Sequence, residues 1–477
     1  MSDLNICYLT ASEALRRFKD RTLSPVELLQ AYLARAEEIK DTVNGFTALY
    51  AEEALSEARK AEARYAADAG DLRPLEGLPT GIKDENNIEG KVTTFGSLIY
   101  KDNVATSTTP VVQRLLDAGV VVHGRTTTPE FSSEGFTHSR LWGVTRNPWN
   151  LDYTPGGSSG GSGAVLAAGM AALATGSDIG GSIRIPASAC GLFGMKPSRG
   201  RVSFAPMGEG WGGASIQHAV TRSVRDSAVL LDVVCTPQSG DPYYLAAPAV
   251  PYAQEVGRAP GKLRIGFTTA ALAAPALDPE CAQAVLDAAR LCESLGHTVE
   301  EVTVPGDLAA MQKAAGDVIA ASVAATLEIE SEKRGRPADQ SDVEDLTWFM
   351  ARRGMSVTGP AYVRGLAAIH AYGRAVAELF KTYDVLLLST LGSPAIPIGW
   401  LTESIETYAP RLFDFMPNTQ AFNNTGQPAM TVPLSWSKSG LPIGVQFVGR
   451  MAEEGLLFRL AGQLEAAQPW FDRTPAL

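Results

Sequence analysis

The chain has 477 residues, 45% of them apolar and 19% charged, with a formal net charge of −11. These values describe a globular protein with a large core, since a chain of this size buries roughly 75% of its unfolded surface, and they exclude a disordered or fibrous chain. The acidic balance argues against a nucleic-acid grip, which needs a basic stripe.

Five cysteines (Cys7, Cys190, Cys235, Cys281, Cys292) form no C-x-x-C pair, and the five histidines form no H-E-x-x-H. Neither a disulfide framework nor a metal site is therefore expected. No apolar run reaches membrane-spanning length, and the first ten residues do not read as a leader. The expected setting is the cytoplasm, with no membrane and no metal.

Residues 10–40 read as two helices. The second opens on Ser24-Pro25-Val26-Glu27, an N-cap serine followed by proline at N1 and glutamate at N3. Residues 51–67 form a further, more exposed helix. From Leu78 the pattern changes: L-P-T-G-I-K-D reads as a buried strand ending at Lys83. Thr109-Pro110 then opens a helix stopped at Gly119, and an apolar strand V-V-V-H-G follows. Residues 278–302 repeat this helix–glycine–strand grammar. L-R-I-G-F and Y-D-V-L-L-L-S read as strands, and residues 303–379 as mostly helical. Trp348, Phe349 and Met350 lie within that helical region, where packing is the expected role. Two short strands flank a turn at Lys438-Ser439-Gly440. Strands alternating with helices predict an α/β fold: a large mixed, mostly parallel twisted sheet covered by helices on both faces. One domain is expected over 1–477, with N-terminal helices at about 1–70, a core at about 78–201 and a helical insertion at about 303–380.

Chemistry concentrates between Pro155 and Pro186. There P-G-G-S-S-G-G-S-G and D-I-G-G-S-I-R-I-P flank a small-residue helix and a strand, and Ser158 and Ser182 stand 24 positions apart. Glycine beside serine lets backbone N–H groups approach a ligand closely. A serine hydroxyl needs a base to become a nucleophile. His123, His138 and His218 are the histidines nearest in sequence, but none sits in a recognisable motif and neither serine has a G-x-S-x-G elbow. Lys83 is the other candidate. A free lysine titrates near about 10.4, and burial lowers that by up to roughly 3–5 units, enough to leave a neutral amine.

Both serine segments resemble the two halves of the amidase signature, and G-I-K-D at Lys83 resembles that family's lysine motif. T-P-E-F (residues 128–131), N-P-W-N (147–150), G-M-K-P (194–197) and the later N-T-G-Q-P-A are similar to the family as well. The resemblance covers essentially the whole chain and implies the amidase signature fold. It implies Lys83 as catalytic base, Ser158 as a bridging serine on a cis peptide bond, and Ser182 as nucleophile. It places the oxyanion hole on the backbone N–H groups of Ile179, Gly180, Gly181 and Ser182, with Ser159, Asp178 and Arg184 in support. Arg125, Thr127 and Ser198 depart from the residues most common at their positions in the family. The implied activity is two-step acyl transfer to water without a cofactor.

The W-x-x-x-R segment at residues 348–352 and the late Pro469-Trp470 are similar to the bacterial branch that holds 6-aminohexanoate-cyclic-dimer hydrolases, aryl acylamidases and urethanases. That resemblance implies small, mostly apolar amides such as anilides or nylon-type amides, with esters and carbamates open to the same serine. Phe131, Trp142 and Trp211 are the aromatic candidates for the pocket wall. The expected partner is a small-molecule substrate, and a homodimer is compatible with the chain. Two other readings stay open. One is the glutaminase subunit of a tRNA-dependent amidotransferase. The other is a nucleotide-binding protein, for which Gly208, Gly210 and Gly213 match G-x-G-x-x-G without an evident strand before or helix after.

Overall fold

The computed structural model of the chain describes residues 4–477; Met1–Asp3, where the N-terminal helical stretch is expected to begin, lie outside them. Helices α1 (Ala11–Lys19) and α3 (Ala51–Ala66) flank α2 (Pro25–Val43), which starts as its cap predicts. The Ser24 hydroxyl accepts from the Glu27 N–H at 3.1 Å, and the Glu27 carboxylate accepts from the Ser24 N–H at 2.8 Å.

Eleven strands form one mixed sheet among the described residues. In chain order they are β1 (Phe46–Leu49), β2 (Pro79–Lys83), β3 (Val121–Thr126), β4 (Leu173–Asp178), β5 (Phe193–Lys196) and β6 (Ile216–Thr221). The rest are β7 (Arg264–Phe267), β8 (Thr298–Glu301), β9 (Val385–Ser389), β10 (Ala429–Trp436) and β11 (Pro442–Gly449). Their spatial order is β1-β3-β2-β4-β6-β5-β10-β11-β9-β7-β8. Parallel pairs form two blocks, β3-β2-β4 and β9-β7-β8, and the strands between and beyond these blocks pair antiparallel. β10 and β11 are the hairpin expected around Lys438-Ser439-Gly440.

Successive strand residues point to opposite faces, and the core divides accordingly. Leu173, Ala219, Leu387, Met430 and Phe447 join one large cluster with α1, α4 (Pro110–Asp117), α7 (Val224–Val234), α8 (Pro279–Ser294) and α13 (Glu454–Ala467). Their neighbours Ala174 and Val220 pack under α5 (Gly160–Ala167) and α6 (Arg184–Cys190). Leu386, Leu388, Ala429 and Val448 pack under α9 (Leu308–Arg334) and α11 (Gly359–Leu379). Helices therefore cover both faces, as expected of the α/β class. Helix α9 starts at Leu308, because the Asp307 side chain accepts from the Ala310 N–H and sets its first turn.

β2 and β4 are parallel neighbours, with Thr80 opposite Leu173 and Gly81 opposite Ala174. Their carboxyl ends, Lys83 and Asp178, thus reach the same end of the sheet, where open α/β sheets form ligand crevices. The helix α10 (Asp345–Gly354) and the helix α12 (Ile405–Phe415) stand near that end and contribute to its cavity. At Gly208–Gly213 the chain makes a single turn in which Trp211 and Gly212 are left-handed. That is not the strand–loop–helix of a dinucleotide site.

Candidate active site

Lys83 ends β2 with its side chain sealed from solvent. Its backbone N–H donates to Thr175 Oγ1 at 2.8 Å, which pins the strand end to β4. Its Nζ lies 2.8 Å from Ser158 Oγ, 2.9 Å from Ser177 Oγ and 3.2 Å from Glu85 Oε2. Burial pushes the amine below the usual lysine range, while the charges of Glu85 and Asp178 push it back up.

The Gly157–Ser158 peptide is cis. Only glycine fits at 157, because a Cβ there would run into the Phe136 backbone. Ser159 then ties the two serine segments together: its N–H donates to the Ser182 carbonyl at 3.2 Å. Its hydroxyl exchanges hydrogen bonds with the Ser177 backbone, each at 3.3 Å.

Beyond β4 the chain turns sharply through Ile179–Ser182 into α6. Gly181 has φ 133°, a left-handed value that favours glycine, and a Cβ there would meet Thr419 Oγ1. Among the described residues, no protein acceptor is found for the N–H groups of Ile179, Gly180, Gly181 and Ser182. This turn is held from behind by Asp178. Its carboxylate accepts from the Arg184 side chain at 2.8 and 3.0 Å, from the Ile183 N–H at 3.2 Å and from Asn423 Nδ2 at 2.8 Å. Burial raises the Asp178 carboxyl, but Arg184 overrides that and holds it at about 2. Arg184 also donates to the Thr419 carbonyl, to Asn423 Oδ1 and to Gln446 Oε1. The pair is wholly buried, so removing one partner would strand a charge at a cost of about 3–5 kcal/mol.

Ser182 is 5% exposed and opens onto a cavity of about 340 Å³. Ile319, Val323, Phe349, Met350, Leu412 and Phe413 give it apolar walls, and Trp211 stands between it and a second, smaller cavity. Glu134 also reaches it, accepting a hydrogen bond from the Tyr408 hydroxyl; burial pushes this carboxyl up to about 8.

The placement of the sequence candidates is uneven. Lys83, Ser158 and Ser159 are brought together, and Ile179, Gly180 and Ser182 line the cavity. Phe131 lies instead on the smaller cavity. Trp142 is a correction: it is on the wall of neither. A partly buried indole N–H seeks an acceptor, and Thr94 Oγ1 takes it at 2.9 Å, fixing the ring there. Trp348 and Met350 pack against the Val323–Leu327–Ala351 cluster, as expected, but Met350 also lines the cavity, as does Phe349. His123 and His218 are bonded to the Met170 carbonyl and the Ser227 hydroxyl, and burial lowers them to about 4 and about 3. Sequence reasoning missed Glu85, Glu134, Ser177 and Asn423. Only Glu85, two positions after Lys83, carried a local signal.

The chain is similar to known proteins in sequence and in fold. The model of the Amidase family matches residues 27–458. Over 473 residues, 95% of this chain and 94% of the relative, 36% are identical to a 6-aminohexanoate-cyclic-dimer hydrolase of Paenarthrobacter ureafaciens. The solved structure of a 6-aminohexanoate cyclic dimer hydrolase complexed with substrate matches with a TM-score of 0.92 at 34% identity, over 98% of this chain and 99% of that one. The structure of a bacterial aryl acylamidase, itself an amidase signature enzyme, matches with a TM-score of 0.88 at 25% identity over 98% of each chain. By sequence and by fold, the chain belongs to the amidase signature family and is an amide-hydrolysing enzyme.

Proposed function

We propose that the chain hydrolyses small, mostly apolar amides through an acyl-enzyme on Ser182, with Ser158 as proton relay and Lys83 as base. The observation that carries this reading is the 2.8 Å contact between Lys83 Nζ and Ser158 Oγ, both on fully buried side chains. Ser182 Oγ bonds to the substrate carbonyl carbon; its proton passes to Ser158, whose own proton passes to Lys83. The tetrahedral oxyanion lies against the free N–H groups of the Ile179–Ser182 turn. The C–N bond then breaks, and the amine leaves with the proton returned from Lys83 through Ser158. Water attacks the ester along the same proton path and frees the acid, restoring Ser182.

The apolar walls and the uncharged state of Glu134 near neutral pH favour an uncharged acyl group. The relatives named for aryl amides and for a cyclic amide dimer support the same substrate class. Esters and carbamates present the same carbonyl to Ser182 and are proposed as further substrates. A panel of p-nitroacetanilide, a cyclic bis-amide and glutamine tests this, with the first two expected to turn over and glutamine to lag; a preference for glutamine would sink it. Mass spectrometry after treatment with a serine-reactive acylating agent is expected to find the label on Ser182, and much slower labelling in Lys83→Ala and Ser158→Ala.

A further inference from the structure

The smaller cavity, about 110 Å³, shares Ser132, Ile179 and Trp211 with the one that holds Ser182. Its polar lining is unusual. Asn86 is 1% exposed, yet neither its Oδ1 nor its Nδ2 has a partner among the described residues. Glu85 Oε1, Asn87 Oδ1, Ser215 Oγ and Gln217 Oε1 are buried and unpartnered as well, and all five residues line this cavity. Buried polar atoms are hydrogen-bonded in the great majority of cases, and leaving one unpaired costs about 1–3 kcal/mol. Six such atoms on five residues that line one small space therefore point to a polar occupant.

The chemistry of that partner follows from the balance of the lining. Four of the six atoms are oxygens that only accept: one carboxylate and three amide carbonyls. Two or three waters supply enough O–H groups for these oxygens, but water carries no charge to set against the Glu85 carboxylate. A primary ammonium brings three donors and no acceptor. Glu85 supplies negative charge from an oxygen not used by its neighbours, since Oε2 is the one that meets Lys83 and Ser132. Phe95, Phe131 and Trp211 contribute aromatic surface, which attracts a cation. The nearby Arg125 guanidinium is matched by Asp84 at 3.0 Å and by the Asn86 carbonyl at 2.6 Å.

We propose that the Glu85–Asn86–Asn87–Ser215–Gln217 cavity is a subsite for a primary alkylammonium group carried by the substrate, adjoining the scissile bond on the side away from the apolar cavity. The inference rests on the amide-hydrolase reading for its place on the substrate, but not for the binding itself. Two measurements separate these. Calorimetric titration of the full chain with propylammonium and with propan-1-ol reads the subsite directly. Wild type is expected to bind the ammonium at least tenfold more tightly, Gln217→Leu to lose that preference, and Gln217→Glu to keep it. Equal affinities in wild type, or a preference unmoved by Gln217→Leu, would overturn the subsite.

Hydrolysis of N-(3-aminopropyl)benzamide against N-butylbenzamide reads its place. The kcat/KM ratio is expected to favour the amine-bearing amide about tenfold in wild type and to collapse in Gln217→Leu. A binding preference with no matching ratio in hydrolysis overturns the position beside the scissile bond. If neither amide is cleaved, the amide-hydrolase reading of the substrate fails, while the titration still decides the subsite.

Discussion

Two lysines are sealed inside this protein, and their partners separate their roles. Lys196 donates to the Pro197 carbonyl at 3.0 Å and meets neither signature serine. Lys83 meets two hydroxyls and one carboxylate. Burial lowers the pKa of both, but only Lys83 is placed to draw a proton from Ser158. In the proposed mechanism the neutral amine is the working form, and it dominates above the lowered pKa. Activity is therefore expected to fall as pH drops through that pKa and to level off on the alkaline side. A kcat/KM profile from pH 5 to 9 measures this, and a flat profile would contradict it. Lys83→Ala is expected to lose about 10²–10⁴ in kcat/KM, the usual scale of general-base catalysis. Lys83 was legible as a polar residue closing an apolar strand, but the resemblance was needed to choose it over a histidine. Ser177 and Asn423 were not legible. Their contacts, Ser177 with Lys83 and Asn423 with Asp178, span 94 and 245 residues, and nothing local records them.

The elements around the serines depend on backbone that admits no side chain. At Gly181 a left-handed φ and the closeness of Thr419 combine, and the Thr419 hydroxyl donates to the Gly180 carbonyl at 2.6 Å. Gly181→Ala is expected to rotate the turn that aims the Ile179–Ser182 amides, lowering kcat by about 10²–10³, the loss typical of one oxyanion donor. The stability cost is about 1–3 kcal/mol, read from denaturant unfolding of the same variant. A kcat within threefold of wild type would show that these amides do not hold the oxyanion. Caps and helix stops were well recorded in the sequence, because Ser24, Glu27 and Pro25 act within one turn. The facing of α10 was not: Phe349 meets the cavity because of where the whole helix docks, which neighbouring residues do not encode.

Across the whole molecule, the strand–helix alternation predicted the layers but not the order of the strands. β5 lies between β6 and β10, and β11 pairs with β9 on its other side, pairings that only the assembled sheet determines. The same holds for the Glu134–Tyr408 contact, which joins two cavity-lining residues 274 positions apart. Burial raises Glu134 to about 8, against about 4.3 for a free glutamate. The folded chain thus binds a proton that the unfolded chain has lost throughout that window. Stability from this group is complete below about pH 4, declines as pH rises, and is gone above about 8. Glu134→Gln removes the titration while keeping a neutral polar group of the same size. Its Tm is expected to match wild type at about pH 4 and to exceed it by about 1–3 °C at pH 8.5, measured by thermal unfolding in matched buffers. Equal differences at both pH values would mean that Glu134 is ionised in the folded protein. The cavity would then carry a negative charge beside Ser182, and cationic acyl groups would replace apolar ones as its best substrates.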